Sequence, residues 1–368
     1  MKGRRSRSHA ADIDVRDLRR SEADGWARAS ATVDGEELYF ESTDVVPACT
    51  PELFATVLLP VAAQRGVRLR LDRAPDRDWR RNVSASLAVW SRWWGTEPDL
   101  ARVLDAPRAR WARRERRAGG RGLCFSLGVD SFHTLLRSRR PPDTLILAHG
   151  FDIPLADGGR MRDAERSLRE VAARTGTRAV VVRTNVRRHS SLRPMAWPRT
   201  HGGSLAALGH ACAGDVGELL ISATKPFVAD APWGSHWDTD PGFTSSRLAV
   251  RHVGADLRRN DKIASLVGEP LFQRHLRVCW ENRSASGNCG ECEKCVRTML
   301  LISATGVDDA LATFPANGSL AARIDSVGSI HPDSAPVYER VLANGLADDT
   351  AAAVRRLLAR STPAADSW

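Results

Sequence analysis

The chain has 368 residues, 42% of them hydrophobic and 27% charged, a balance that favours neither wholesale disorder nor membrane insertion and fits a soluble globular protein of about two domains at roughly 150 residues each. Its formal charge of +10 rests on arginine, since Lys2, Lys225, Lys262 and Lys294 are the only lysines. The longest apolar run, Leu53 to Ala63, is broken by Pro60 and is shorter than the roughly 18 residues a membrane span needs, and the basic N-terminus has no apolar segment behind it. Cytoplasmic residence without a membrane partner is the expectation.

In chain order, residues 1–12 read as a frayed end and 361–368 as a polar tail. Ala31 to Glu41 reads as a strand region, and Thr50-Pro51-Glu52 as a helix start with Thr as cap and Pro in the first turn. A helix follows over 51–64. Alternation in Val67, Leu69 and Leu71 marks a half-buried strand, and a helix rich in tryptophan (Trp90, Trp93, Trp94) reads as core. The arginines at 108, 110, 113, 114, 116, 117 and 121 lie around a single tryptophan, Trp111. They read first as a solvated helix end and linker, with nucleic acid or an acidic partner as the alternative. These residues bound a small N-terminal α/β domain, 1–118.

From Gly122 onward, short apolar strands alternate with helices: strands at 123–126, 144–149, 179–184, 218–222 and 247–253, helices at 131–138, 160–175, 203–213 and 258–267. This rhythm predicts an α/β fold with a doubly wound parallel sheet over 119–305 and ligands beyond the carboxyl ends of its strands. A helical extension, 306–368, closes the chain.

The connection after the first of these strands, Ser126-Leu127-Gly128-Val129-Asp130-Ser131, runs into a helix. Free N–H groups and the helix dipole attract phosphate at such a junction. Ser126 and Ser131 add hydroxyls, Gly128 allows a left-handed or close-approach backbone, and Asp130 is placed to hold Mg²⁺ or to cap the helix. Lys225, at the end of the fourth strand, is a candidate phosphate partner or a surface lysine. Thr184, Asn185, Arg187, His201 and the loop from Trp233 to Asp240 are further polar candidates at strand ends.

Cys279, Cys289, Cys292 and Cys295 lie at metal-ligand spacing, with Gly287, Asn288 and Gly290 supplying tight turns. Four thiolates suit a closed, structural Zn²⁺ site. Disulfides and an iron–sulfur cluster are the rival readings. Cys49, Cys124 and Cys212 are scattered in apolar settings and read as plain buried thiols.

The Ser126–Ser131 loop resembles the SGGxDS signature of PP-loop ATP pyrophosphatases, with Leu127 where that family has its first glycine. Lys262-Ile263, then Cys279-Trp280, then GNCGECEKCVR ending in Arg297 resembles 7-cyano-7-deazaguanine synthase and its relatives, over residues 121–305. The resemblance implies a divergent ligase that binds ATP with Mg²⁺ at 126–131 and cleaves it to AMP and pyrophosphate. It would adenylate a small-molecule carboxylate or amide and add ammonia or an amine to give an amide or nitrile, with Asp130, Lys225 and Lys262 as catalytic candidates. Two alternatives stay open: ATP-dependent thiolation of a nucleobase or RNA, and a zinc-containing nucleic-acid-binding protein. A homodimer is compatible with either enzyme reading.

Overall fold

A computed structural model describes residues 11–108, 117–193, 196–285 and 287–361. The frayed end at 1–10, the arginines at 110, 113, 114 and 116 with Trp111, and nearly all of the 361–368 tail lie outside the described residues.

In chain order the elements are β1 (Ile13–Ala23), β2 (Trp26–Val33), β3 (Glu36–Ser42), α1 (Pro51–Arg65), β4 (Leu69–Leu71), α2 (Arg77–Trp94), α3 (Leu100–Val103), β5 (Leu104–Asp105) and β6 (Gly120–Cys124). Then come α4 (Val129–Arg137), β7 (Thr144–His149), α5 (Gly158–Thr175), β8 (Arg178–Thr184), α6 (Trp197–Ala211), β9 (Val216–Ser222) and β10 (Ala249–Val253). Six helices close the chain: α7 (Arg259–Leu266), α8 (Pro270–His275), α9 (Glu293–Ser303), α10 (Leu320–Ser326), α11 (Ala335–Ala343) and α12 (Asp348–Arg360). The architecture is α/β on a large, mostly parallel sheet. None of the described helices is long and apolar enough to cross a membrane.

The chain forms two compact units, one of residues 1–124, 180–223 and 231–253, the other of 125–179, 224–230 and 254–368. In the first unit β6, β9 and β10 pair in parallel, as strands joined through covering helices must. β1, β2 and β3 form an antiparallel meander, and β3 pairs with β8 at Phe40↔Thr184 and Glu41↔Arg183. Strands from both sides of residue 118 thus belong to the same unit. The region read as one strand over 31–41 is a hairpin. Asp34 and Gly35 turn it with φ of 50° and 86°, the positive pair that a two-residue turn between twisted strands requires.

The core of this unit packs α1 against α6. Leu53, Phe54, Leu58 and Leu59 are buried, and the backbones approach so closely that a Cβ on Gly203 would lie 2.3 Å from the carbonyl oxygen of Thr56. Pro51 occupies the first turn of α1 as expected, but Thr50 makes no side-chain capping bond. Of the three tryptophans read as core only Trp90 is fully buried; Trp93 and Trp94 are half-buried.

In the second unit, α4 carries Phe132 against Phe125 and Phe272, with ring centroids 5.1 and 5.7 Å apart. Edge-on aromatic packing of this kind fixes the start of α4 relative to α8. The unit also holds the cysteine cluster and the C-terminal helices.

Candidate functional site

The four clustered cysteines converge. All are buried and their Sγ atoms lie within 4.8 Å of one another, with Cys279 to Cys292 at 4.0 Å and Cys289 to Cys295 at 3.8 Å. Four thiolates bonded to one ion at roughly 2.3 Å would form a tetrahedron with edges of about 3.8 Å, so the donor set fits a metal ion such as zinc.

The local chain explains the convergence. Gly287 and Gly290 take φ of 65° and 70°, conformations open to glycine without strain. Asn288 clamps the other arm: its Oδ1 accepts from the N–H groups of Val278 (2.7 Å) and Cys279 (3.1 Å), and its Nδ2 donates to the Leu276 carbonyl (2.9 Å). Backbone N–H groups of Asn282, Glu291 and Cys292 point at the sulfurs of Cys279 and Cys289 from 3.2 to 3.4 Å, favouring thiolate. The crowded thiols compete for protons. A hydrogen bond from Cys292 holds Cys279 far below the ordinary thiol range, while that same bond pushes Cys292 up to about 12.

The second cluster stands at the start of α4. Ser126 is exposed, whereas the Leu127 side chain is buried. Leu127, not Gly128, adopts the left-handed backbone, with φ of 63°, and its carbonyl accepts from the N–H of Arg277 at 2.9 Å. Gly128 is extended (φ −84°, ψ 167°) and caps the helix. A Cβ there would stand 3.1 Å from the Ser126 hydroxyl oxygen, so glycine serves close approach rather than handedness. The Ser131 hydroxyl donates to the Gly128 carbonyl at 3.0 Å, closing the first turn.

Asp130, in that turn, meets two cations: Lys262 Nζ at 3.2 Å and Arg259 at 3.4 Å. The Lys262 side chain is 2% exposed and that of Asp130 13%. Burial alone would raise the Asp130 carboxyl, but Arg259 and Lys262 outweigh it and hold the group below the ordinary carboxylate range. Lys294 contributes to the same field, and burial lowers its ammonium from the usual value. His133, one helical turn beyond Asp130, is likewise lowered by burial and then by Lys262. The buried Nε atoms of Arg259 and Arg277 have no hydrogen-bond partner among the described residues. The result is a helix N-terminus whose carboxylate is flanked by Lys262 and Arg259, with Asp152 and Asp256 also acting on the groups around it, an arrangement able to take a polyanion accompanied by a cation.

Of the sequence candidates, then, Asp130 and Lys262 are brought together from 132 residues apart. Lys225 sits half-buried on the 224–230 segment of the same unit. Arg259, His133 and Lys294 were not singled out from the sequence. Arg259 had a signal, since it precedes Lys262 by three positions on one helix face.

Other polar candidates have structural tasks. The Thr184 hydroxyl donates to the Tyr39 carbonyl (2.6 Å), and Asn185 bonds both the Tyr39 N–H (3.0 Å) and the Glu37 carbonyl (2.7 Å), sealing the β3–β8 junction. His201, Gly202 and Gly203 lie inside α6 rather than at its start. Asp240 is fully buried and accepts from Ser235 (2.7 Å), the His236 N–H (3.2 Å) and His252 (2.8 Å), which holds the 233–240 loop in shape.

Comparison with family models, with curated proteins and with solved structures gave no match.

Proposed function

We propose that this chain is an AMP-forming synthetase of the PP-loop kind. The observation that carries this reading is Asp130 in the first turn of α4, held between Lys262 and Arg259 beside the strand-to-helix loop that exposes Ser126. Triphosphate is the substrate that such a place fits. Its oxygens would take the free N–H groups at the start of α4 and the charges of Lys262, Arg259 and Lys294. Asp130, released from its two cations as they turn to phosphate, is the residue to hold Mg²⁺, which when bound would neutralise charge on the phosphates.

A substrate carboxylate oxygen would attack the α-phosphorus. The bond to the bridging oxygen breaks and pyrophosphate departs with that electron pair, leaving an acyl adenylate. Ammonia or an amine then attacks the acyl carbon, AMP leaves, and the amine's proton passes to solvent. The cations around Asp130 would act on the charge that grows on the departing pyrophosphate. Zn²⁺ at Cys279, Cys289, Cys292 and Cys295 would be structural, since thiolates fill all four positions. The thiolation alternative needs a reactive cysteine. Outside the zinc set the candidates are Cys124, whose thiol burial pushes above the ordinary range, and Cys212, which is buried; neither setting favours a reactive thiolate.

The test is exchange of labelled pyrophosphate into ATP across a panel of carboxylic acids, with nucleotide products identified. AMP and pyrophosphate are expected with an accepted acid. Release of ADP, or no exchange with any acid by folded, metal-replete protein, overturns the proposal.

A further inference from the structure

The first unit contains a small cavity that the Asp130 chemistry does not use. Its volume is about 130 Å³, and it is lined by Val57, Val186, Leu192, Trp197, Thr200 and Ser204, with Arg187 and Arg193 at its rim. A cavity of roughly 150 Å³ has room for benzene, so by volume this one, with its mixed polar and apolar lining, accommodates a body of about one six-membered ring.

Three features distinguish it from a packing defect. First, Ser204 is buried on α6 yet lines the cavity, so its hydroxyl is available to a group bound there. Thr200 differs, because its hydroxyl already reaches the Ala196 carbonyl at 3.5 Å. Second, Arg187 lies flat on Trp197, its guanidinium carbon 4.5 Å from the ring centroid. It makes no ion pair among the described residues, so stacking fixes the cation at the rim while leaving its donors for an anion. Third, the floor is rigid: Val57 and Ser204 sit on α1 and α6, whose backbones meet at Thr56 and Gly203.

We infer that this cavity is a binding site for a small ring carboxylate, with the ring between Val57, Val186, Leu192 and Trp197, the carboxylate on Arg187, and a ring heteroatom or substituent on Ser204. A free phosphate would match the arginines and leave the apolar wall unfilled; a neutral ring would fill the wall and leave Arg187 unmatched. The inference is independent of the synthetase reading, since it names a ligand and no reaction.

Calorimetric titration of the full chain with benzoate, pyridine-3-carboxylate, benzamide and inorganic phosphate separates these possibilities. The two acids are expected to bind with Kd below about 1 mM, in line with the efficiency of small ligands. Benzamide should bind at least about tenfold more weakly, the scale of one charge-assisted hydrogen bond, and R187Q should cost the acids a similar factor. S204V removes the hydroxyl and narrows the cavity by one methyl group, and should weaken binding of the acids; because Ser204 is buried, R187Q at the exposed rim is the variant that tests the idea without touching the core. The inference fails if neither acid binds at millimolar concentration, if phosphate or benzamide binds as well as the acids, or if R187Q leaves their affinity unchanged.

Discussion

Replacing Asp130 by Asn should be the most damaging single change in the second unit that removes no bulk. At an effective dielectric of 20, opposite charges 3.2 and 3.4 Å apart attract by about 5 kcal/mol each before desolvation is counted. The net value of such a group is far smaller, but the variant removes the carboxylate that faces both the Lys262 ammonium, 2% exposed, and Arg259. Removing one partner of a buried charge pair costs about 3–5 kcal/mol, a large part of the 5–15 kcal/mol typical of a whole domain. Lys262→Met should cost less, about 1.5–3 kcal/mol, because Arg259 still answers the carboxylate. D130N combined with K262M should be more stable than D130N alone, since the buried ammonium that lost this carboxylate is gone as well.

The pH dependence follows from the direction of the Asp130 shift. Its carboxyl is lowered in the folded state, so its stabilisation is present above the unfolded value of about 3.9 and lost as pH falls through the lower folded value. Urea unfolding at pH 7 and an acid titration below about pH 4 read both effects. The reasoning is refuted if D130N costs under about 1 kcal/mol, if K262M costs more than D130N, or if the acid transition of D130N matches the parent's.

Removal of the metal should unfold the cysteine segment: apparent binding energies of structural zinc are about 10–16 kcal/mol, so strong chelation or C292S should lower the Tm and abolish metal content measured by mass spectrometry, whereas an unchanged Tm after metal loss would count against a structural ion. Leu127→Ala should be worse than Leu127→Gly by about 1 kcal/mol in urea unfolding, although glycine removes more side chain, because only glycine relieves the left-handed backbone (φ 63°); equal losses would show that handedness costs nothing there. His210 is buried, its Nε2 2.9 Å from the Phe243 carbonyl, and burial lowers its pKa to about 4. The unfolded chain therefore binds more protons between about pH 4 and 6.5, and this group's stabilisation, at most about 3 kcal/mol, is full above pH 6.5 and declines through that window. His210→Gln should flatten the slope of unfolding free energy against pH, and a slope unaltered in the variant would assign it elsewhere.

How far the sequence reached depends on the distance over which each interaction acts. Thr144 to His149 is apolar along its length and bounded by turn residues, and it is a strand over those six residues. The helix starts at Pro51, Val129 and Gly158 were legible within a few positions for the same reason. The cysteines were legible as a group because a metal ion needs its donors within one small sphere and short spacers deliver them.

The rest required the folded chain. Pairing of β3 with β8 joins residues some 140 apart through backbone groups, which leave no signature in side-chain pattern, so the N-terminal strands looked like a domain of their own. Gly128 was open to a left-handed or a close-approach role; it takes the close approach, and tertiary contacts gave the left-handed conformation to Leu127, whose buried side chain and bonded carbonyl offset the strain. Asp130 was visible as a lone carboxylate in a loop. That it stands among Lys262, Arg259 and Lys294 was decided only when the helices after residue 254 folded over α4, since electrostatic fields act through space and not along the chain.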